Sequence, residues 1–214
     1  MFYDMRKTLS FALFFCKKQL PLLLQYVIIL FNIGVFCFLE VSLLRIFGAD
    51  PGYAIVGYGI VDFDGVQFSA VGYGAITTKA GVPFPERLES IYEDVITVIE
   101  KYKPDCMAIE RLYFNTNTTT AIDVAQARGV IMLAAKRAGL EIFEYTPLQV
   151  KQSITGYGRA EKHQVMEMVK NLLSLSSVPK PDDTADALAL TVCHGHSAGS
   201  SYGKLNQLMK GKTK

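Results

Sequence analysis

The sequence predicts an α/β fold in which a mixed five-stranded sheet is flanked by helices. Two observations lead to this fold class. Three β-rich segments follow one another from about residue 45 with no helical pattern between them, which predicts an antiparallel meander. Beyond residue 83, segments with helical periodicity alternate with short apolar runs, which is typical of helices packed on a sheet.

The meander begins at residues 45–50, an apolar run that ends in the turn-forming triplet Asp50-Pro51-Gly52. Two further strands are predicted at residues 53–63 and 66–78, joined around Asp64-Gly65, which favours a hairpin. The triplet Gly-Tyr-Gly occurs in two of the predicted strands and in one loop, so we interpret it as coincidence and not as an internal repeat.

The remaining elements follow from apolar spacing and from the Pro and Gly residues that interrupt it. Two short buried strands are predicted at residues 106–110 and 140–146. Helical spacing predicts five helices, at residues 85–102, 118–138, 147–155, 162–175 and 182–196. The chain therefore divides into an apolar N-terminal extension (1–44), one globular domain (45–196) and a flexible basic tail (197–214).

The N-terminal extension has the pattern of a membrane span, which conflicts with a globular domain that acts inside the cell. Residues 19–39 carry no charge and are long enough to span a bilayer. Basic residues precede this stretch, and the positive-inside rule would then place the globular domain outside the cell. We expect that residues 1–44 come from translation upstream of the true start, so that the working protein begins near Val41 or Leu44. We also expect that the working protein is not bound to a membrane.

Charge and cysteine content limit the function classes. The four basic and two acidic residues within 1–44 leave equal numbers of each in residues 45–214, so nucleic-acid binding would require a local basic patch. The four cysteines show no C-x-x-C spacing, which argues against a disulfide framework or a zinc site and fits a cytoplasmic protein.

Four carboxylates are predicted to lie close together in the folded domain. Asp50 and Glu110 each end a predicted strand, and parallel neighbours would bring both to the sheet edge where α/β proteins bind ligands. Asp183 and Asp186 lie three residues apart, on one face of the last helix. Each has a plain structural alternative, since Asp is a common turn residue and acids stabilise the first turn of a helix.

Taken together, the four side chains predict a metal site. Their charges would repel unless cations neutralised them, and the summed charge matches two divalent ions. Oxygen ligands favour Mg²⁺ or Mn²⁺ over zinc. A pair of such ions is the arrangement that serves in-line phosphoryl displacement.

Five motifs carry a resemblance to a known family. GADPG, AIERLYF, AQARGV, EYTPLQVKQSITGYGRAEKHQV and DDTADALALT occur in this order. Through these motifs the chain resembles the RuvC family of bacterial Holliday-junction resolvases over about residues 45–196. The resemblance implies an RNase H-like fold for the nuclease domain at 45–196 and a homodimer that acts as a metal-dependent endonuclease in recombination and repair. It also implies a branch-migration helicase partner.

The resemblance also assigns roles to individual residues. The catalytic, metal-binding carboxylates of the family fall on Asp50, Glu110, Asp183 and Asp186. Two Mg²⁺ ions per subunit are expected, for which Mn²⁺ can substitute. Contacts with four-way junction DNA are expected from four further residues, Tyr113, Lys151, Arg159 and Lys162.

Two positions depart from the family pattern. Arg111 stands where Gln or Glu is usual, and Tyr113 replaces a common Phe, although a tyrosine can still stack on a base. Gln126 and Arg128, on the 118–138 helix, are expected at a dimer interface or near DNA.

Two other function classes remain open on the sequence. A junction-binding module without catalysis would lack part of the acidic set, whereas all four acids are present. An actin-like phosphotransferase also begins with a strand ending in Asp-x-Gly, but it requires two such domains. A cleavage assay on a four-way junction with Mg²⁺ discriminates among the three.

Overall fold

The computed structural model describes residues 43–112 and 118–199. These contain five strands and five helices. The strands are β1 (Leu44–Asp50), β2 (Ile55–Phe63), β3 (Phe68–Thr77), β4 (Cys106–Glu110) and β5 (Glu141–Tyr145). The helices are α1 (Phe84–Tyr102), α2 (Thr118–Arg137), α3 (Pro147–Thr155), α4 (Lys162–Leu172) and α5 (Asp182–Gly199).

The strands form one mixed sheet in the order β3-β2-β1-β4-β5. β1, β2 and β3 pair antiparallel as the predicted meander, whereas β1 pairs parallel with β4, and β4 with β5. β1 is therefore the central strand, and its carboxyl end lies beside that of β4. This confirms the predicted neighbourhood of the two strand-end acids.

The hairpin between β2 and β3 is stabilised by residues within the turn itself. The Asp64 carboxylate accepts hydrogen bonds from the backbone N–H groups of Val66 and Gln67, at 2.8 and 2.7 Å. Gly65 has φ 98°, a left-handed conformation that glycine adopts without steric cost. The turn thus needs no tertiary contact to form.

Both faces of the sheet are covered by helices. Alternate strand residues such as Phe47 and Met107 pack under α1 and α2, against Ile91, Val95 and Ile131. The opposite face packs against α3, α4 and α5, with Val61 and Leu188 at its centre. Ala49 and Ile109 belong to the α1/α2 face, so the next residues along β1 and β4, Asp50 and Glu110, project to the α5 face.

Helix α5 lies unusually close to the sheet. A Cβ atom on Gly48 would stand 2.1 Å from the carbonyl oxygen of Ala187, and one on Gly57 would stand 1.9 Å from that of Asp183. Only glycine permits this approach. The buried Thr184 hydroxyl donates to the Gly74 carbonyl at 3.0 Å and so attaches the first turn of α5 to β3.

The predicted bounds of every strand and of three helices agree within two residues, and the other two helices differ by three residues at their ends. The predicted 162–175 helix ends at Leu172, because Ser174 turns the chain with φ 51°. The last helix continues past residue 196 to Gly199. Most of the expected N-terminal extension and basic tail lies outside the described residues, and no helix in the described part of the chain is long and apolar enough to cross a bilayer.

Candidate active site

The site is built at the carboxyl ends of β1 and β4, under the N-terminal turns of α5. Strand geometry brings Asp50 and Glu110 to the α5 face, and the glycines of β1 and β2 let the first turns of α5 lie directly against the sheet. Those turns carry Asp183 and Asp186. The predicted set of four acids is therefore held at one end of the sheet.

The carboxylates interact electrostatically. Burial, followed by the charges of Asp186, Glu110 and Asp183, raises the pKa of Asp50 to about 8. Burial and Asp186 raise the pKa of Glu110. Burial also raises the pKa of Asp186, and the nearby Lys162 offsets only part of that increase. Such a group of acids is stabilised by added positive charge.

Lys162 supplies some of that charge. Its Nζ lies 3.0 Å from an Asp186 oxygen and 3.6 Å from an oxygen of Asp182. Burial lowers the pKa of Lys162, but the hydrogen bonds and charges of the two aspartates outweigh burial and raise the pKa overall. Asp182, which also pairs with Lys180 at 2.8 Å, thus belongs to a lysine-rich edge of the site.

A cleft of about 230 Å³ opens beside the acids. Its polar lining consists of Glu110, Asp186, Lys151 and Lys162, and its apolar lining of Pro147, Val150, Val165 and Leu190. Two carboxylates thus face two ammonium groups across one small volume. A phosphate group carries the charge that the lysines attract, whereas the carboxylates require a cation between themselves and such a group.

The four carboxylates suit hard divalent cations. All four side chains offer oxygen, which suits Mg²⁺ or Mn²⁺. The raised pKa values of Asp50, Glu110 and Asp186 indicate that added positive charge would stabilise their ionised forms. Within residues 43–112 and 118–199, no three His, Cys, Asp or Glu side chains are already spaced to hold one ion. Asp186 is instead paired with Lys162.

The other predicted site residues are distributed unevenly. Lys151 and Lys162 line the cleft, but Arg159 is an exposed residue of the loop before α4 and is not part of the cleft lining. Tyr113 lies outside the described residues. Gln126 is exposed on α2.

Arg128, expected at a dimer interface or near DNA, makes its described contacts within the subunit, and that expectation stays a prediction. Its side chain is mostly buried; Nε donates to the Glu110 carbonyl at 2.9 Å, and the guanidinium forms a salt bridge with Glu144. Sequence spacing gave no signal for this contact, because the two partners are 16 and 18 residues distant along the chain.

The two histidines near the end of α5 belong to the packing. His194 is 3% exposed, lies against Phe143, and shares a 2.7 Å hydrogen bond between Nδ1 and the Tyr145 hydroxyl. Burial lowers the pKa of His194 to about 4, so the ring is neutral at pH 7. His196 Nδ1 is 3.1 Å from the Ser153 hydroxyl.

Comparison with known proteins identifies the family. The family model described as crossover junction endodeoxyribonuclease RuvC matches residues 46–194. The RuvC protein of Halothermothrix orenii is 55% identical over 152 residues, covering 71% of this chain and 92% of the relative. That of Brevibacillus brevis is 57% identical over 151 residues, covering 71% and 91%.

Solved structures agree with the sequence relatives. The Thermus thermophilus RuvC structure is similar with a TM-score of 0.68 and 32% identity, covering 72% of this chain and 95% of that one. T. thermophilus RuvC in complex with a Holliday junction substrate has a TM-score of 0.68 and 29% identity, covering 74% and 98%. The predicted RNase H-like sheet flanked by helices is thereby confirmed.

Relatives and structures therefore agree with the motifs that first suggested the family. The chain belongs to the RuvC family of crossover junction endodeoxyribonucleases, which are metal-dependent nucleases that resolve Holliday junctions.

Proposed function

We propose that Asp50, Glu110, Asp183 and Asp186 hold two Mg²⁺ ions in each subunit, for which Mn²⁺ can substitute, and that the chain uses them to cut two symmetric strands of a four-way junction. The observation that carries the proposal is the placement of the four acids at one end of the sheet, where burial and the other three acids raise the pKa of Asp50 to about 8. A cation beside such a carboxyl group favours its ionised form at neutral pH.

Each residue has a defined task in this mechanism. The four carboxylates would hold the ions, which would supply activation of water and neutralisation of charge for phosphodiester hydrolysis. Asp50, on the central strand, interacts electrostatically with both halves of the acidic set, Glu110 and the α5 aspartates. Lys151 and Lys162 hold the scissile phosphate in the cleft that they share with Glu110 and Asp186.

The substrate assignment rests on a relative. T. thermophilus RuvC has been solved with a Holliday junction substrate, and the chain shares its fold and family. By extension, Tyr113 stacks on a base near the junction centre and Arg159 contacts the phosphate backbone. A branch-migration helicase supplies junctions in the cytoplasm, where bacterial DNA lies.

A homodimer is supported by helix α2. Ile122 and Leu133 are 58% and 54% exposed and lie on one face of the helix with Gly129. A glycine inside a helix costs about 1 kcal/mol relative to alanine. Apart from its chain neighbours and the backbone of its own helix, no described atom lies within 4 Å of a Cβ built on Gly129, so the packing of one subunit does not require this glycine. The close approach of a second copy explains it, and a two-fold dimer presents one site to each strand.

The test is cleavage of a synthetic four-way junction. With Mg²⁺ we expect paired nicks in two strands of like polarity, and no cleavage in EDTA or of a linear duplex with the same sequence. Junction binding without cleavage in Mg²⁺ and in Mn²⁺ would instead identify a binding module. Equal cleavage of duplex and junction would contradict the substrate assignment.

A further inference from the structure

The backbone carbonyl of Glu110 lies where strand β4 leaves the sheet. The Arg111 N–H donates to the Tyr145 carbonyl of β5 at 2.8 Å. Successive residues of a strand direct their backbone groups to opposite sides, so the Glu110 carbonyl is directed toward β1.

Strand β1 offers no donor at that level. The β1/β4 register ends with Ala49 opposite Ile109. In a parallel ladder the next donor for the Glu110 carbonyl would be residue 51, and Pro51 has no backbone N–H. A polar backbone group left without a partner in a buried setting costs about 1–3 kcal/mol.

Arg128 replaces the missing donor. Its Nε lies 2.9 Å from the Glu110 carbonyl oxygen, and its terminal nitrogen pairs with the Glu144 carboxylate on β5. The Arg128 side chain is only 15% exposed. A guanidinium presents its donors in a rigid plane, so the two contacts together fix the distance between α2, the end of β4 and β5.

We propose that Arg128 is a positioning residue for Glu110: it completes the hydrogen bonding that Pro51 interrupts and thereby holds the Glu110 carboxylate in the direction needed to ligate metal beside Asp50 and Asp186. The inference rests on the proposed metal site. Residues that support metal ligands in this way typically change metal affinity by ~10–100-fold.

The test compares four variants of the full chain. Arg128→Gln removes both contacts, and Arg128→Lys keeps the charge but a single ammonium group cannot maintain both. Glu144→Gln removes the salt bridge and leaves the Nε contact with Glu110. Arg137→Gln is the matched control, because Arg137 is an exposed arginine on the same helix.

Three quantities are measured at a temperature where each variant is folded: Mn²⁺ affinity by titration calorimetry, junction affinity in EDTA, and the Mg²⁺ concentration that gives half-maximal cleavage. We expect Arg128→Gln to weaken Mn²⁺ binding and to raise the Mg²⁺ requirement by about tenfold or more, within the range for supporting residues. Arg128→Lys should lie between Arg128→Gln and wild type. Glu144→Gln should weaken Mn²⁺ binding less than Arg128→Gln does, because the Nε contact with Glu110 remains. Arg137→Gln should stay near wild type, and EDTA junction affinity should not change in any variant.

Other outcomes would overturn the inference. Unchanged Mn²⁺ affinity in both Arg128 variants, with only a lower unfolding temperature, would make Arg128 purely structural. Weaker junction binding in EDTA would make it a DNA contact. If Arg128→Gln does not fold, wild-type Mn²⁺ affinity in Arg128→Lys overturns the proposal. Failure of the metal site itself is distinct, because the wild-type protein would then bind no Mn²⁺.

Discussion

At the scale of single residues, Asp50 combines two conflicting requirements. Its place at the tip of the central strand buries it, and its three acidic neighbours oppose its ionisation. A carboxylate that is costly to ionise in the free protein becomes a strong ligand once a divalent cation is present. Burial of Asp50 and repulsion by its acidic neighbours therefore favour the binding of a cation at this site.

This conflict predicts how stability depends on pH. The pKa of Asp50 is about 8 in the folded protein, against 3.8 for an ordinary aspartate in water. Between these values the folded state keeps a proton that the unfolded state releases, so stability is full at low pH and is lost as the pH rises through 8. Without metal, we expect the free energy of unfolding to fall by a few kcal/mol between about pH 5 and pH 8, since each pKa unit corresponds to about 1.4 kcal/mol.

Chemical denaturation in EDTA across this pH range checks the prediction. Asp50→Asn should flatten the profile, because it removes the titrating group but keeps the shape of the side chain. Saturating Mg²⁺ should flatten it as well. A wild-type stability in EDTA that rises from pH 5 to pH 8 would contradict the raised pKa.

At the scale of elements, sequence patterns predict those features that are determined locally. The bounds of α3 agree with the prediction because Thr146 and Gln149 form a capping box, Pro147 occupies the first turn, and Gly156 ends the helix with φ 82°. In the helix predicted at 162–175, Leu173 and Leu175 continue the apolar spacing, but the chain turns at Ser174. Spacing alone carries no information about that turn.

Contacts between distant elements could not be predicted. The acids were located because strand ends and helix periodicity are visible in a sequence. The contact of Arg128 with Glu110 and the ion pair of Lys162 with Asp186 depend on how α2 and α4 pack. The same holds for Gly57, whose Gly-Tyr-Gly setting gave no sign that α5 would lie against it.

The closeness of α5 to the sheet predicts the effect of Gly57→Ala. The added methyl group would stand 1.9 Å from the Asp183 carbonyl oxygen, which is backbone and cannot rotate away. We expect a loss of stability of about 1–3 kcal/mol from overpacking, with a displaced α5 and reduced cleavage. Urea unfolding and junction cleavage measure the two effects. Ser69→Ala, at an exposed position of β3, should leave both unchanged, and a wild-type result for Gly57→Ala would refute the close packing.

At the scale of the whole molecule, the exposed face of α2 predicts the oligomeric state. Leu133→Glu would place a charge at the centre of the proposed subunit contact, where no partner compensates it. We expect the variant to sediment as a monomer at concentrations where the wild-type protein is a dimer. The variant should also cut the two strands of a junction independently of each other.

Val66→Glu is the control for this prediction, since Val66 is 83% exposed in the β2–β3 turn, away from α2. It should sediment as wild type does. A dimer that persists in Leu133→Glu would exclude this face of α2 as the interface.

The central claim is that four carboxylates at the ends of β1 and β4 and on α5 hold the metal ions that cut DNA. Asp50→Asn tests it most directly, with junction affinity in EDTA and strand cleavage in Mg²⁺ measured on the same preparation. We predict a cleavage rate lower by ~10²-fold or more, the loss typical when one electrostatic element of a site is removed. Binding in EDTA should be at least as tight as wild type, because one negative charge facing the phosphate backbone is gone. Cleavage near the wild-type rate would contradict the metal site, and a joint loss of binding and cleavage would show that Asp50 supports the fold instead.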